Sequence, residues 1–166
     1  AELAAGGDTD DGSATLSLAQ RAAAGFQAAG QAERGARANA CAGGALLRLG
    51  RIGEAQRQFE ATLARARALQ LTPVEAACLT GLGRCAEAAG RIDAARDAYS
   101  AAIELFETQR STLPGDEFRN ALLSEHLAPY RAMLALALDA HAVAPTDAAA
   151  VAVWHQLERV RARALG

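Results

Sequence analysis

Apolar and small residues recur every three or four positions over most of this chain, with charged residues between them. In one such stretch the apolar positions are Ile92, Ala95, Tyr99, Ala102, Ile103 and Phe106. Because an α-helix turns once every 3.6 residues, this spacing predicts an amphipathic helix with one buried face. The same pattern along the chain predicts seven helices, at about 13–29, 34–49, 53–69, 74–89, 92–110, 116–139 and 148–165.

Glycine, proline and capping residues mark the ends of these helices. Ser13 is a suitable N-cap for the first, and the pair Thr72-Pro73 predicts the start of the fourth. Gly50 and Gly90 are expected to end the first helix of each pair in left-handed conformation, and Gly30 is expected to end the first predicted helix. Residues 1–12 are small, acidic and without a helical period, and we expect them to be frayed or a linker remnant.

The chain repeats itself at a fixed shift of 40 residues. Segment 39–59 returns as segment 79–99, and the tripeptide Gly-Arg-Ile stands at both position 50 and position 90. The shared anchors are Gly43 and Gly83, Gly50 and Gly90, Ala55 and Ala95, and Phe59 and Tyr99. A fixed period of this length is typical of solenoids. Two unrelated alanine-rich hairpins are the alternative, and the four shared anchors argue against it.

The anchors predict how the helices of each copy pack. Gly43 and Gly83 lie in mid-helix, where glycine costs about 0.5–1 kcal/mol relative to alanine. A close helix contact offsets that cost, and we expect Ala55 and Ala95 to face the two glycines. The aromatic residue four positions later should fill the gap toward the next helix pair.

The second copy resembles the tetratricopeptide pattern W-x2-L-G-x2-Y…A-x3-F, with Leu79, Leu82, Gly83 and Ala86 followed by Ala95 and Tyr99. Its 40-residue period is longer than the usual period of about 34. The resemblance implies an all-α fold, a right-handed superhelical solenoid of antiparallel helix hairpins. We expect one domain over 13–166, made of a half repeat 13–30, repeats 34–70 and 73–110, and a divergent C-terminal hairpin 116–165.

The divergent hairpin is predicted from apolar stripes alone. Its first helix carries Phe118, Leu122, Leu123, Leu127, Tyr130, Leu134 and Leu138. Pro129 falls inside that helix and should kink it near Glu125. The last helix carries the stripe Val151, Trp154, Leu157, Val160 and Leu165.

Residues 154–165, WHQLERVRARAL, resemble the A-F-E-x-x-E-R-x-R-A-R-x-L segment that closes the tetratricopeptide region of the CHAT family, caspase-like peptidases with N-terminal helical repeats. Arg119 and Tyr130 fit the helix that precedes it. Trp154 replaces the usual Phe, and His155 the usual Glu. The resemblance implies that a peptidase domain with a His/Cys dyad follows in the intact protein. We expect the chain to be a fragment, since it lacks an initiator Met and stops inside a predicted helix.

Composition narrows the functional classes. The formal net charge is -2 in 166 residues, which gives no electrostatic reason to expect nucleic acid or an anionic membrane as a partner. All 17 basic residues are arginine, which we interpret as the bias of a GC-rich bacterial genome. No apolar run reaches about 18 residues. Cys41, Cys78 and Cys85 lack the spacing of a disulfide framework, so we expect free thiols and a reducing cytoplasm.

No constellation of catalytic residues appears. His126, His141 and His155 lie on different stretches without metal-ligand spacing, and phosphate loops, nucleophile elbows and HExxH motifs are missing from the sequence. We therefore predict no enzyme activity in this chain, no catalytic or metal residues and no cofactor.

The remaining class is binding, because a solenoid offers a concave wall to a partner. The resemblance places first-helix residues on that wall, and the candidate peptide-binding residues are Arg37, Leu47, Arg48, Thr80, Arg84 and Glu87. Chaperone-binding members of the family use Lys and Asn there to clamp a C-terminal carboxylate. This chain has Ala40, Gly44, Thr80 and Arg84 instead, so an acidic helix or extended peptide suits it better. The alternative is that these arginines are only solvated.

Two functions from different classes stay open. One is a protein-interaction module that senses or holds a partner and regulates an attached peptidase. The other is a purely structural or oligomerising solenoid with no groove ligand, and a helix-bundle enzyme is a distant third. We also expect self-association through the end helices, since Leu16 and Phe26 of the first helix should form an uncovered apolar face.

Overall fold

The part of the chain that the structure describes, residues 3–112 and 127–164 of a computed structural model, contains seven helices. The helices are α1 (Leu3–Ala28), α2 (Ala32–Arg48), α3 (Ile52–Ala68), α4 (Thr72–Ala88), α5 (Ile92–Thr112), α6 (Ala128–Val143) and α7 (Asp147–Ala164). Each helix packs on the next along the chain, and α2 also contacts α4. The described residues contain no strand, so the predicted all-α helical-repeat solenoid is confirmed.

Four identical turns set the 40-residue period. After α1 to α4 the chain turns through a residue with φ between 54° and 72°, at Gly30, Gly50, Gln70 and Gly90. In the second turn the Arg51 N–H donates to the Leu46 carbonyl at 2.9 Å and the Gly50 N–H to the Leu47 carbonyl at 3.0 Å. This pair of bonds is the Schellman motif that satisfies the last carbonyls of a helix. Turns spaced 20 residues apart produce hairpins that recur every 40.

Aromatic rings fill the gaps beside the mid-helix glycines. A Cβ built on Gly43 would lie 2.8 Å from the Phe59 ring, and one built on Gly81 would lie 2.4 Å from the same ring. Phe59 of α3 is thus held between α2 and α4, and it is only 4% exposed. Tyr99 of α5 repeats the arrangement against Gly83, with 2.4 Å to a Cβ there.

The predicted partners of these glycines were wrong. Ala55 and Ala95 are fully buried, but the atoms nearest to Gly43 and Gly83 belong to the aromatic ring one turn later on the same helix. A ring reaches farther from its helix than a methyl group does. Glycine in the facing helix therefore makes room for a flat side chain, not for close contact of two backbones.

The first helix begins earlier than the sequence pattern predicts. Residues 3–12 belong to α1, so they are not a frayed linker and Ser13 is not a cap. Gly12 is buried, and a Cβ on it would lie 3.0 Å from Cδ2 of Leu49, the residue that follows α2. The first helix thus makes a packing contact N-terminal to Ser13. The residues before Ser13 are small and show no helical period, so the sequence pattern does not predict this contact.

The expected apolar face at the start of the chain is largely covered. Leu16, Ala19 and Ala23 are buried, Phe26 is half-buried, and α1 packs along α2. Leu16 belongs to the core cluster formed mainly by α1 to α4. The expectation of self-association through Leu16 and Phe26 therefore loses its basis.

Helices α4 and α6 also begin differently from the prediction. Thr72 is the first residue of α4 and Leu71 occupies the cap, without a side-chain hydrogen bond. Pro129 lies in the first turn of α6, where a missing N–H costs nothing, and not inside a longer helix. The predicted kink near Glu125 and the stripe residues Phe118, Leu122 and Leu123 lie outside the described residues, as do His126 and Leu165.

The last two helices bury a different set of side chains from the predicted one. Helix α6 packs through Pro129, Tyr130, Met133 and Leu136, whereas Leu138 is exposed. Most residues of α6 are apolar, so the pattern does not distinguish the buried face from the other faces. In α7 only Val160 of the predicted stripe packs on the core, and Val151, Trp154 and Leu157 are exposed.

A candidate peptide-binding groove

Two adjoining concavities lie along the inner side of α4. The first, between α2 and α4, has a volume of about 500 Å³. The second, where α4 faces α5 and α6, has a volume of about 670 Å³. Thr80 and Arg84 line both, so the two concavities are neighbours, and together they are called the groove below.

The first concavity has an apolar floor between basic side chains. It is lined by Arg37, Ala40, Cys41, Gly44, Phe59, Pro73, Val74, Ala77, Thr80, Gly81 and Arg84. Positions 37, 40, 41 and 44 follow the i, i+3, i+4, i+7 spacing of one helix face. No atom lies within 4 Å of a Cβ built on Gly44, so that glycine leaves the floor of the groove open.

The arginines of this concavity differ in their partners. Arg37 pairs with Glu33 one turn earlier, Nη2 to Oε1 at 3.0 Å, with both side chains largely exposed. Such an exposed pair contributes about 0–1 kcal/mol and is readily exchanged for another carboxylate. Arg84 makes no hydrogen bond or ion pair with any residue in the two described ranges. The described residues that line this concavity include no acid.

Among the described residues, the charged side chains that line the second concavity are Glu87, Arg84 and Arg131. The buried Tyr99 hydroxyl donates to Glu87 Oε2 at 2.7 Å. Burial, and then this carboxylate, raise the pKa of Tyr99, so the hydroxyl remains protonated and holds Glu87 in place. Glu87 is exposed, and its Oε2 already accepts a hydrogen bond from Tyr99. Two arginines stand beside this single carboxylate among the described lining residues.

A second tyrosine–glutamate pair connects α6 to the repeats. The Tyr130 hydroxyl donates to Glu107 Oε1, and the Arg159 guanidinium lies 5.9 Å from the Tyr130 ring centroid. These contacts join α5, α6 and α7 and so fix the outer wall of the second concavity. Because Arg131 is next in sequence to Tyr130, these contacts also position Arg131 in the groove.

The structure brings together four of the six predicted groove residues. Arg37, Thr80 and Arg84 line the first concavity, and Glu87 lines the second. Leu47 and Arg48 line neither: Leu47 packs against the core cluster, and Arg48 is exposed in the last turn of α2.

Several lining residues were missed from the sequence. Cys41 shares its helix face with Arg37, so the i+4 spacing was a usable signal. Phe59 reaches the groove from α3 because Gly81 and Gly43 leave room beside its ring. Arg131 could not be placed, since the hairpin that carries it lacks the glycine anchors of the repeat.

The described residues hold no group of three or more His, Cys, Asp or Glu side chains that could bind a metal. His141 is half-buried on α6 and His155 exposed on α7, one on each helix. The three cysteines are free; Cys41 is exposed, and burial raises the pKa of Cys78 to about 12. None of the described helices is long and apolar enough to cross a membrane.

Residues 42–110 match the family model of the tetratricopeptide repeat. The matched range includes α3, α4 and the Phe59 and Tyr99 rings with the glycines that face them. No curated protein and no solved structure matches the sequence. The match supports a tetratricopeptide repeat in this part of the chain, and such repeats generally mediate protein–protein interactions. Their all-helical fold is typically that of a non-enzymatic scaffold.

Proposed function

We propose that this tetratricopeptide-repeat solenoid binds an acidic segment of a partner protein, helical or extended, in the groove along α4. The observation that carries the proposal is the composition of the groove: an apolar floor with Arg37 at one side, the unpaired Arg84 in the middle and Arg131 beyond it. Apolar side chains of the ligand would occupy the first concavity while its carboxylates meet the arginines.

Charge and burial favour a carboxylate ligand. Arg84 lies at the junction of the two concavities, so a bound segment would cover it from solvent on both sides. A charge-assisted hydrogen bond in such a partly desolvated place contributes roughly 1.5–3 kcal/mol. Arg37 would exchange its exposed bond to Glu33 for one to the ligand, at little cost. The same argument predicts binding that weakens as salt rises.

A peptide array tests the proposal. The probes are synthetic peptides that combine aspartate or glutamate with one leucine or phenylalanine, beside matched peptides with asparagine and glutamine. The protein should retain the acidic set, and the double substitution Arg37→Ala with Arg84→Ala should weaken binding of the best peptide at least about tenfold. Arg48→Ala is the matched control, since this arginine belongs to α2 but lies outside the groove.

The outcome separates the two open functions. Affinity that is unchanged in the double variant would refute the groove and favour a structural solenoid that only spaces or joins domains. Equal retention of the acidic and amide peptides would refute the charge argument while leaving the apolar floor as a binding surface.

We also propose a place for this module, as a sensor or regulatory region of a larger bacterial, cytoplasmic protein such as a CHAT-type peptidase. The support is the resemblance of residues 154–165, together with three free cysteines that suit a reducing compartment. The sequence encoded beyond Gly166 tests this: a caspase-like His and Cys there would support it, and any other domain would refute it.

A further inference from the structure

Helix α7 presents an apolar stripe to solvent. Val151 is 54% exposed, Trp154 59% and Leu157 43%. The partly buried positions of the helix include Ala149, Val153, Gln156 and Val160, of which Val160 packs on the core cluster that includes Tyr130 and Met133. At 100° per residue these positions lie on the side opposite Val151 and Trp154. The stripe is therefore not needed to attach α7 to α6.

The stripe is symmetric about its largest residue. Val151 and Leu157 each stand three positions from Trp154, and Asp147 and Arg161 each stand seven positions from it. When two identical helices pair antiparallel about a two-fold axis, each position meets the one equally far on the other side of the centre. In such a pair centred on Trp154, Val151 of each copy faces Leu157 of the other, and Asp147 of each copy faces Arg161 of the other.

From this arrangement we infer that α7 is a self-pairing surface, and that its occupant is the α7 helix of a second copy of this chain in antiparallel orientation. Charge complementarity selects this occupant, since both ends of the stripe find an opposite charge only in the antiparallel register. Arg161 is available for it, because its present contact with Glu158 is long, 3.7 Å, and both side chains are largely exposed. The inference does not depend on the groove.

The size of the contact predicts a weak dimer. One tryptophan buries on the order of 150–250 Å² when fully covered. A single helix stripe built around it falls short of the roughly 1,200–2,000 Å² of a stable interface. We therefore expect a concentration-dependent dimer that dissociates in the micromolar to sub-millimolar range.

Sedimentation velocity of the whole chain, from about 10 to about 500 µM, measures this equilibrium. Trp154 is the only tryptophan in the chain, so its fluorescence emission should move to shorter wavelength over the same range as the dimer forms. A chain that stays monomeric with constant emission throughout would overturn the inference.

Variants locate the surface. Trp154→Glu should raise the dimer dissociation constant at least about tenfold, because the centre of the stripe then carries two like charges. Leu18→Glu, on an exposed leucine of α1, is the matched control and should leave the constant unchanged. If both variants change the dissociation constant equally, the association occurs through another face or is non-specific, and the inference is wrong.

A charge exchange tests the register. Asp147→Lys and Arg161→Glu should each weaken self-association, since each places like charges opposite one another. An equimolar mixture of the two variants should associate several-fold more tightly than either alone, because each Lys then meets a Glu and each remaining Asp an Arg. A mixture no tighter than its components would refute the antiparallel pairing, provided far-UV circular dichroism shows both variants to be folded.

Discussion

Gly81→Ala places one methyl group where the structure leaves no room for it. The added Cβ would lie 2.4 Å from Phe59 Cζ and 2.5 Å from Cε1, about 1 Å inside normal contact. The ring has little room to move away, because α2 lies so close to it at Gly43 that a Cβ built there would be 2.8 Å from the ring. Either the ring leaves its rotamer or α4 shifts away from α3.

The net effect follows from two opposing terms. Overpacking of a filled core costs about 1–3 kcal/mol. Alanine in a helix gains about 0.5–1 kcal/mol over glycine. Because the added Cβ would lie about 1 Å inside normal contact, we place the cost in the upper part of that range, about 2–3 kcal/mol. The net loss is then about 1–2.5 kcal/mol, and for a chain of 166 residues the fall in Tm is about 2–10 °C.

Gly44→Ala is the control for this change. It makes the same substitution in mid-helix, at a glycine with no atom within 4 Å of its Cβ. We expect only the helix-propensity gain, about 0.5–1 kcal/mol, and a Tm higher by about 1–4 °C. Urea unfolding followed by circular dichroism at 222 nm measures both variants. If Gly81→Ala stabilises the protein as much as Gly44→Ala, Phe59 is not held between the two glycines.

Three further predictions concern the turns and the thiols. Gln70→Gly should raise the free energy of unfolding by about 0.5–1 kcal/mol in urea titration, because Gln70 has φ 54° where the other turns have glycine. A lower free energy of unfolding would mean that the Gln70 side chain contributes more than its backbone conformation costs. A maleimide should label one thiol of the native chain quickly, and Cys41→Ser should abolish that label; fast reaction of Cys78 or Cys85 would contradict their burial. Burial, helped by Glu75, raises the pKa of Cys78 to about 12, so stability should be fully present below about pH 9 and be lost as pH rises toward 12, by at most about 1.4 kcal/mol per unit. Cys78→Ala should reduce that slope in urea titrations between about pH 8.5 and 10, and an unchanged slope would refute the assignment.

The repeat could be predicted from the sequence because its anchors have a physical cause. Turns with positive φ need glycine at Gly50 and Gly90, and the space taken by an aromatic ring needs glycine at Gly43 and Gly83. Each requirement therefore places the same residue type at positions 40 residues apart. The helix ends between 32 and 112 accordingly fall within two residues of the predicted ones. The residue that faces Gly43 or Gly83 could not be predicted. The alanine and the aromatic residue of each copy stand four positions apart on one helix face, so helical spacing allows either of them to face the glycine.

The groove could be predicted only in part for a related reason. Helical spacing identified which residues of α2 and α4 share a face, and it includes Arg37, Thr80 and Arg84. Helical spacing does not show how far along a helix the groove extends. Arg48, one turn beyond the concavity, was therefore included among the predicted groove residues. Arg131 depends on how α6 packs on α5 through Tyr130 and Glu107, a contact between residues 23 positions apart that no local pattern encodes.

Helix α7 shows the limit of reading apolar stripes. The pattern marks Val151, Trp154 and Leu157 as a buried face, and apolar spacing alone does not say what buries it. Among the described residues of α7, Val160 packs on the core cluster that includes Tyr130 and Met133. The larger exposed residues are those that we propose pair with a second copy of the chain.

Filling the groove through Gly44 tests its role most directly. Gly44→Leu projects an apolar side chain onto the floor of the first concavity, at a position where nothing obstructs it. Affinity for the best acidic peptide, measured by fluorescence anisotropy, should fall at least about tenfold while the Tm is unchanged or higher. Unchanged affinity in a stably folded Gly44→Leu variant would contradict binding in the groove.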